Sequence, residues 1–189
     1  MKKLFTILAA ALMVTVSASA QHEIGGIVGG LNGLSYKYWF SDALALQADL
    51  AVGLTCGSGA LYYKGNKIPY TDGKADLYDF TINPNVLYHF ELPANFKIYT
   101  GGGINLGLVS ALENTAKEGI MGKFGINAAV GVSYDLDAAP LVLAFDFRPG
   151  YGLGFQGEDG AVLGAGKGNG SMHLSYFDWK LGFAIRYKL

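Results

Sequence analysis

The chain has 189 residues and a formal net charge of −1, with 15% charged residues where a typical soluble domain has about 25%. This length indicates one domain, and the balanced charge gives no reason to predict nucleic acid as a partner. With 28 Gly, 12 Tyr and 11 Phe, the composition favours a β protein whose surface does not face water everywhere.

The first twenty residues, MKKLFTILAAALMVTVSASA, have a basic start, an apolar run and a closing Ala-Ser-Ala motif, which are the parts of a secretory signal peptide. The alternative is a membrane-anchoring helix, but the run has about 13 residues where a spanning helix needs about 20. We therefore predict cleavage after Ala20, which gives a signal peptide over 1–20 and a mature domain over 21–189. The single cysteine, Cys56, provides neither an intramolecular disulfide nor a lipid anchor, so the expected destination is the periplasm, the outer membrane or the exterior.

The mature chain contains eight segments in which apolar residues fall on every second position, as in a β-strand with one apolar face. The last segment, WKLGFAIRYKL (179–189), alternates Trp, Leu, Phe, Ile and Tyr with Lys, Gly, Ala and Arg. The predicted strands cover 23–30, 34–40, 44–54, 80–90, 97–108, 124–136, 141–150 and 173–189.

The predicted connections are short at one end of the strands and long at the other. Short turns follow at 41–43, 91–95 and 137–140, and they contain the turn formers Asp, Asn and Pro. The long loops cover 55–79, 109–123 and 156–172, and only the first connection on that side, near 30–33, is short. This alternation is typical of an outer-membrane barrel, for which eight is the smallest common strand number.

The composition of the less apolar face of the strands indicates which face is inside. In a soluble protein the apolar face would be the core, and the other face would carry many Lys and Glu residues. Here the other face is mainly Gly, Ala, Asn and Ser with a few charges, which suits the narrow lumen that eight strands enclose. We therefore predict an all-β fold, an eight-stranded antiparallel up-and-down transmembrane β-barrel with its apolar face in lipid.

The mature chain resembles the eight-stranded outer-membrane barrel family of the OmpX and OmpA-barrel type, including the "outer membrane protein beta-barrel domain" group. The resemblance rests on the signal peptide, the entry GGLNGLSYKYWF (29–40), the eight alternating segments and the C-terminal GFAIRYKL (182–189). The last is similar to the terminal signal of barrel assembly clients, except that it ends in Leu189 instead of an aromatic residue. The resemblance implies insertion by the barrel assembly machinery, contact with outer-membrane lipid and lipopolysaccharide, and no single shared biochemical activity.

Strand alternation places charged residues of both signs in the lumen. Buried charges need partners, so the first hypothesis is a paired network that fills the lumen, with Arg186 paired to Asp146 or Asp178. The alternative is an ion-conducting path lined by charge, for which eight strands leave little width. The predicted lumen charges are Lys37, Asp49, Asp135, Asp146, Arg148, Asp178, Lys180 and Arg186.

His173 and Ser175 have the H-x-S spacing of the lipid A deacylases, which are also eight-stranded barrels. Nucleophilic catalysis needs a carboxylate to orient the base, and the outward positions that follow in the last strand carry none. We therefore predict no catalytic residue and no enzymatic activity. No His, Cys and Asp cluster has the spacing of a metal site, so no metal or other cofactor is expected.

The longest loop contains several tyrosines, which are favoured at interfaces. They form a contact surface or pack the loop onto the barrel rim, and both interpretations remain open; the residues are Tyr62, Tyr63, Tyr70 and Tyr78. The leading prediction is a non-enzymatic integral outer-membrane protein with a structural or adhesive role through its long loops, and with an unidentified surface or envelope protein as partner. The alternatives are a lipid-modifying barrel enzyme and a small porin-like channel.

Overall fold

A computed structural model describes residues 22–55, 57–63, 66–69, 77–111, 120–156 and 172–189. They form ten β-strands: β1 His22–Gly29, β2 Asn32–Trp39, β3 Leu44–Thr55, β4 Gly57–Tyr63, β5 Asn66–Pro69, β6 Leu77–Glu91, β7 Phe96–Ala111, β8 Ile120–Asp135, β9 Leu141–Gln156 and β10 Met172–Lys188. The predicted signal peptide over 1–20 lies outside the described residues. Within the described ranges, no helix has the length and apolarity that a membrane span requires.

Eight of the strands close into an antiparallel barrel, which confirms the predicted fold class. The hydrogen-bonded order is β1-β2-β3-β6-β7-β8-β9-β10, and β1 pairs with β10 to close the wall. The short connections join β2 to β3, β6 to β7 and β8 to β9, so they lie together at one end of the barrel. We call this the short-turn end and the opposite one the long-connection end.

The predicted loop over 55–79 is wrong in part, because it contains the hairpin β4–β5. β4 pairs with β10 over Met172–Asp178, whereas β1 pairs with β10 only over Gly182–Lys188. The β1–β2 turn is short, and Gly30 at this turn donates its backbone N–H to the Leu181 carbonyl at 2.7 Å. β4 therefore occupies the edge of β10 that the short β1–β2 hairpin leaves open.

The apolar face of the strands is the outer face of the barrel. On β10, Phe183 is 41% exposed and its neighbour Ala184 is fully buried, as strand alternation requires. Exposed aromatic residues stand near both ends of the outer face, ten positions apart in Phe80 and Phe90 of β6. A tilted strand that spans the membrane has about 9–11 residues, so this spacing fits a spanning strand. Two aromatic girdles around an apolar band are typical of a transmembrane barrel.

One apolar cluster lies inside the lumen, next to the β1–β2 turn. Gly29 has a φ of 120°, a backbone conformation that side chains disfavour, and the Asn32 side chain donates to its carbonyl at 2.9 Å. Leu31 of this turn is buried with Ile27 and three alanines of β3, β9 and β10. Leu31 of this turn therefore fills part of the lumen.

Candidate functional site

Many polar side chains are buried in the lumen, and the buried charges are balanced among the described residues. Five acids and five bases are each 6% exposed or less. A charge without a counter-charge is costly away from water, and equal numbers allow each one to be compensated. The acids are Glu23, Asp49, Asp79, Asp146 and Asp178, and the bases are Lys37, Lys123, Arg148, Lys180 and Arg186.

Seven of the eight predicted lumen charges belong to this buried set. Asp135 differs, because its side chain is 23% exposed and lies 2.7 Å from the Nζ of Lys188. Both residues end their strands at the short-turn end. Asp135 therefore forms an ion pair at the rim and not at the centre of the lumen.

Arg148 is the centre of the first charged group. Its Nη1 lies 2.5 Å from the Asp49 carboxylate on β3, and its Nη2 lies 2.5 Å from Asp146 on its own strand. The Tyr99 hydroxyl donates to the other oxygen of Asp146. Charge-assisted bonds of this kind are the strong ones, so Arg148 joins opposite walls of the barrel.

A second group of two lysines and two aspartates lies nearer the long-connection end. The Nζ of Lys180 is 2.8 Å from Asp79 and 3.5 Å from Asp178. Lys123 pairs with the same oxygen of Asp79 and lies 4.0 Å from Asp178. The group joins β6, β8 and β10 and carries no net formal charge.

Arg186 pairs differently from the prediction. Its Nη1 is 3.9 Å from Glu23 and its Nε donates to the Ser35 hydroxyl at 2.9 Å, so the expected pairing with Asp146 or Asp178 is wrong. Arg186 lies opposite Gly25 in the β1–β10 register, two residues from Glu23. This register brings the acid of the neighbouring strand closest to the guanidinium group.

Three buried rings lie in contact in a row near the short-turn end of the lumen. The ring centroids of Trp39 and His89 are 4.3 Å apart, and those of His89 and Tyr99 are 4.9 Å apart. The Nζ of Lys37 is 4.8 Å from the Tyr99 centroid and 3.2 Å from the Nε2 of His89. We call these three rings the aromatic floor, since they occupy the lumen between β2, β6 and β7.

Glycines opposite large rings make room for this filling. A Cβ at Gly131 would overlap the Tyr99 ring, and a Cβ at Gly152 would overlap the Tyr176 ring. In both cases, an aromatic ring occupies the volume that a side chain would need. The predicted role of small inward residues in a crowded lumen therefore has a direct geometric basis at these two positions.

Two prolines interrupt the wall, and each leaves one backbone carbonyl without its usual donor. The β8–β9 ladder lacks the pairs of Ala128 with Pro149 and of Ala129 with Arg148, while the pairs on either side are present. The β6–β7 ladder is interrupted in the same way at Pro84, which faces Ile104. Because proline has no N–H, the carbonyls of Ala128 and Ile104 cannot receive their ladder hydrogen bonds.

Luminal asparagines supply the two missing donors. The side chain of Asn83 donates to the Ile104 carbonyl at 2.8 Å, and the side chain of Asn127 donates to the Ala128 carbonyl at 3.2 Å. Asn83 and Asn127 are also bonded to each other at 2.8 Å, and Asn127 donates to Asn85 at 2.6 Å. This asparagine cluster satisfies carbonyls that would be costly to leave unpaired in a wall surrounded by lipid.

The sequence reasoning missed three of the ten buried charges, and it also missed Tyr99. Asp79 and Lys123 lie one residue before the predicted strands at 80–90 and 124–136, whereas the real strands begin at Leu77 and Ile120. Extending the alternation outward by two residues would have placed both in the lumen. Glu23 and Tyr99 were inside predicted strands, but a weak pattern in the first strand and an aromatic side chain on an inward position gave no clear signal.

The predicted rim residues fall mostly outside what the structure describes at the level of side chains. Tyr70 lies outside the described residues, and for Tyr62, Tyr63 and Tyr78 the structure gives the strand backbone only. His173 pairs in register with Phe155 and Tyr62, and Ser175 pairs with Leu153 and Ala60. Within the described ranges, no group of three or more His, Cys, Asp or Glu residues could hold a metal ion.

Comparison with known proteins gives a likeness of fold. No family model matches the chain, and no curated protein matches it. A major outer membrane protein from Thermus thermophilus is similar with a TM-score of 0.51 at 12% identity, over 91% of this chain and 100% of that one. Neisserial surface protein A (NspA) is similar with a TM-score of 0.50 at 16% identity, over 90% of this chain and 94% of that one. The shared feature is the architecture of a small outer-membrane barrel.

Proposed function

We propose that this chain, an eight-stranded outer-membrane β-barrel, is a non-enzymatic surface protein in which a plugged barrel anchors the long connections in the membrane. The observation that supports the proposal is the set of balanced buried charges in the lumen, together with the aromatic floor. Such a lumen stabilises the barrel and offers no wide water path. The long connections, which face outward in barrels of this type, are then the part available to a partner.

The same filling argues against the porin-like alternative. Arg148 is shared by Asp49 and Asp146 across the lumen, so ions would have to break strong pairs to pass. The aromatic floor stands between this group and the short-turn end. Conduction would require both features to move.

The register of β10 argues against the deacylase-like alternative. The residues directly opposite His173 and Ser175 on both neighbouring strands are Phe155, Tyr62, Leu153 and Ala60. None of these positions carries the carboxylate that a nucleophilic triad needs to orient its base. The H-x-S spacing therefore stays a coincidence of sequence in this proposal.

Planar bilayers test the plug. We expect no stable conductance steps from the purified wild-type barrel, and we expect steps from a variant in which Trp39, His89, Tyr99 and Arg148 are all replaced by alanine, because this variant removes both features. Unchanged heat-modifiable gel mobility would show that this variant is folded. Reproducible single-channel steps from the wild type would contradict the plugged lumen and support the channel.

Differential capture tests the contact role of the loops. The wild type and a variant with serine at Tyr62, Tyr63, Tyr70 and Tyr78 are used as baits in detergent-solubilised envelope, and bound proteins are identified by mass spectrometry. We expect at least one surface or envelope protein to be enriched on the wild type and lost on the variant. Equal profiles from two folded baits would assign these tyrosines to packing and reject the contact surface.

A further inference from the structure

The outer face of the barrel has a crevice of about 330 Å³ where β8, β9 and β10 meet. Its outward lining consists of Ile126 and Ala128 of β8, Pro149 and Tyr151 of β9, and Phe177 of β10. Ile126, Tyr151 and Phe177 are exposed by about half. The walls are thus large apolar or aromatic side chains, and the base is formed by two small residues.

The crevice coincides with the interruption of the wall at Pro149. Without the N–H of Pro149, two pairs of the β8–β9 ladder are missing, and the residue that faces it is Ala128. The other interruption differs in one respect: the residue facing Pro84 is Ile104, which is 37% exposed. The Ile104 side chain thus fills the position beside Pro84, whereas Ala128 leaves the equivalent position beside Pro149 open.

The lining identifies the chemistry of an occupant. None of the five outward side chains is charged, and the Ala128 carbonyl at the base is already bonded to Asn127. A charged group would therefore find no counter-charge in this lining, whereas an apolar chain can pack against Ile126 and Phe177. The face around the crevice is the continuous apolar band between the aromatic girdles, which lies in lipid.

The position of the crevice along the barrel axis indicates which leaflet of the membrane it faces. Phe177 stands ten positions from Tyr187 on β10, and both are about half exposed, so Phe177 belongs to the girdle at the long-connection end. Tyr151 lies directly opposite Phe177 in register. With the long connections outside, as in the proposed function, the crevice opens into the outer leaflet.

We propose that this crevice binds one acyl chain of an outer-leaflet lipid. A second copy of the barrel fits less well, because a stable interface needs about 20–30 residues a side and the crevice presents five outward side chains. An acyl chain is long, apolar and flexible enough to follow a shallow crevice. The bound lipid would be held at the β8–β9 interruption in preference to the rest of the outer surface.

Native mass spectrometry of the full-length mature barrel tests the proposal, with purified lipid A and a phosphatidylethanolamine as separate probes. We expect a single lipid A adduct on the wild type and loss of that adduct from Ala128→Phe, because the added ring fills the crevice and removes the packing contacts of the acyl chain. Val130→Phe is the matched control, because it adds the same ring two positions along β8, outside the crevice lining. It should bind lipid A as the wild type does.

Three outcomes would overturn the proposal. Equal lipid A binding by Ala128→Phe and Val130→Phe would place the lipid elsewhere, and preference for phosphatidylethanolamine would remove the outer-leaflet assignment. A dimer signal that disappears in Ala128→Phe would make a second copy the occupant. Heat-modifiable mobility checks that each variant is folded, and none of these results affects the conductance test, so the plug and the lipid site fail independently.

Discussion

The asparagine cluster leads to a double-substitution prediction about the stability of the wall. Asn127→Leu keeps the size of the side chain but removes the donor to the Ala128 carbonyl, and it also breaks the bonds to Asn83 and Asn85. An unpaired buried acceptor costs about 1–3 kcal/mol, and each of the two other hydrogen bonds contributes about 1 kcal/mol. The free energy of unfolding should therefore fall by about 3–5 kcal/mol.

Pro149→Ala should reduce that loss. It restores the backbone N–H that the Ala128 carbonyl lacks, so Asn127→Leu in this background should cost about 1–3 kcal/mol less than in the wild type. The assay is urea-induced unfolding in lipid vesicles, followed by tryptophan fluorescence. Both single variants, the double variant and the wild type complete the cycle.

Pro84→Ala is the matched control for this cycle. It restores an N–H opposite Ile104, which cannot reach the Ala128 carbonyl. It should therefore leave most of the Asn127→Leu loss in place, with only the coupling that the shared partner Asn83 transmits. If Pro149→Ala and Pro84→Ala rescue Asn127→Leu equally, or if neither does, the side-chain donor is not replacing the missing backbone N–H and the explanation is wrong.

Three further predictions concern the orientation, the ion pairs and the processing of the chain. Phe183, four positions from both Trp179 and Tyr187, lies near the bilayer midplane, so Phe183→Arg should lower the free energy of unfolding in vesicles by about 2–4 kcal/mol, and a harmless effect would mean that this face does not contact lipid. Arg186→Leu should lower the free energy of unfolding by about 3–5 kcal/mol, because it leaves the buried Glu23 carboxylate without its counter-charge. Glu23→Gln should recover part of this loss in the same unfolding assay. A larger recovery by Asp146→Asn would refute the pairing of Arg186 with Glu23. The intact mass of protein purified from the membrane should correspond to a chain that begins at Gln21, whereas a mass that retains 1–20 would contradict cleavage after Ala20.

Strand alternation allowed much of this fold to be predicted, because it has a period of two and fixes the face of every residue once one is known. Phe183 and Ala184 lie on the faces expected from the sequence. The ends of strands were less accessible, since Asp79 and Lys123 stand beside long connections where the pattern fades. The hairpin β4–β5 was missed because its Gly-rich start resembles a loop, and the need for it arises only from the short β1–β2 turn.

Partners across the lumen depend on the register between strands, which alternation alone does not specify. Parity places Arg186, Asp146 and Glu23 inside the barrel, but only the shift between β1 and β10 decides that Glu23 comes closest to the guanidinium group. The same holds for the prolines. The sequence shows Pro84 next to Asn83, but it does not show that Asn127 and Pro149, 22 positions apart, meet across the β8–β9 interruption.

The charged groups and the asparagine cluster solve one physical problem in two places. Neither the lipid outside nor the crowded lumen offers bulk water, so the polar groups of the barrel depend mainly on partners within the protein. Removing one member of the ten buried charges leaves an unbalanced charge, and removing Asn127 leaves an unpaired carbonyl. Single substitutions in such a network are therefore costly, which makes it a poor starting point for an ion path or a binding pocket. Changes outside this network do not carry that cost, and this is why we propose the interaction role for the long connections and not for the lumen.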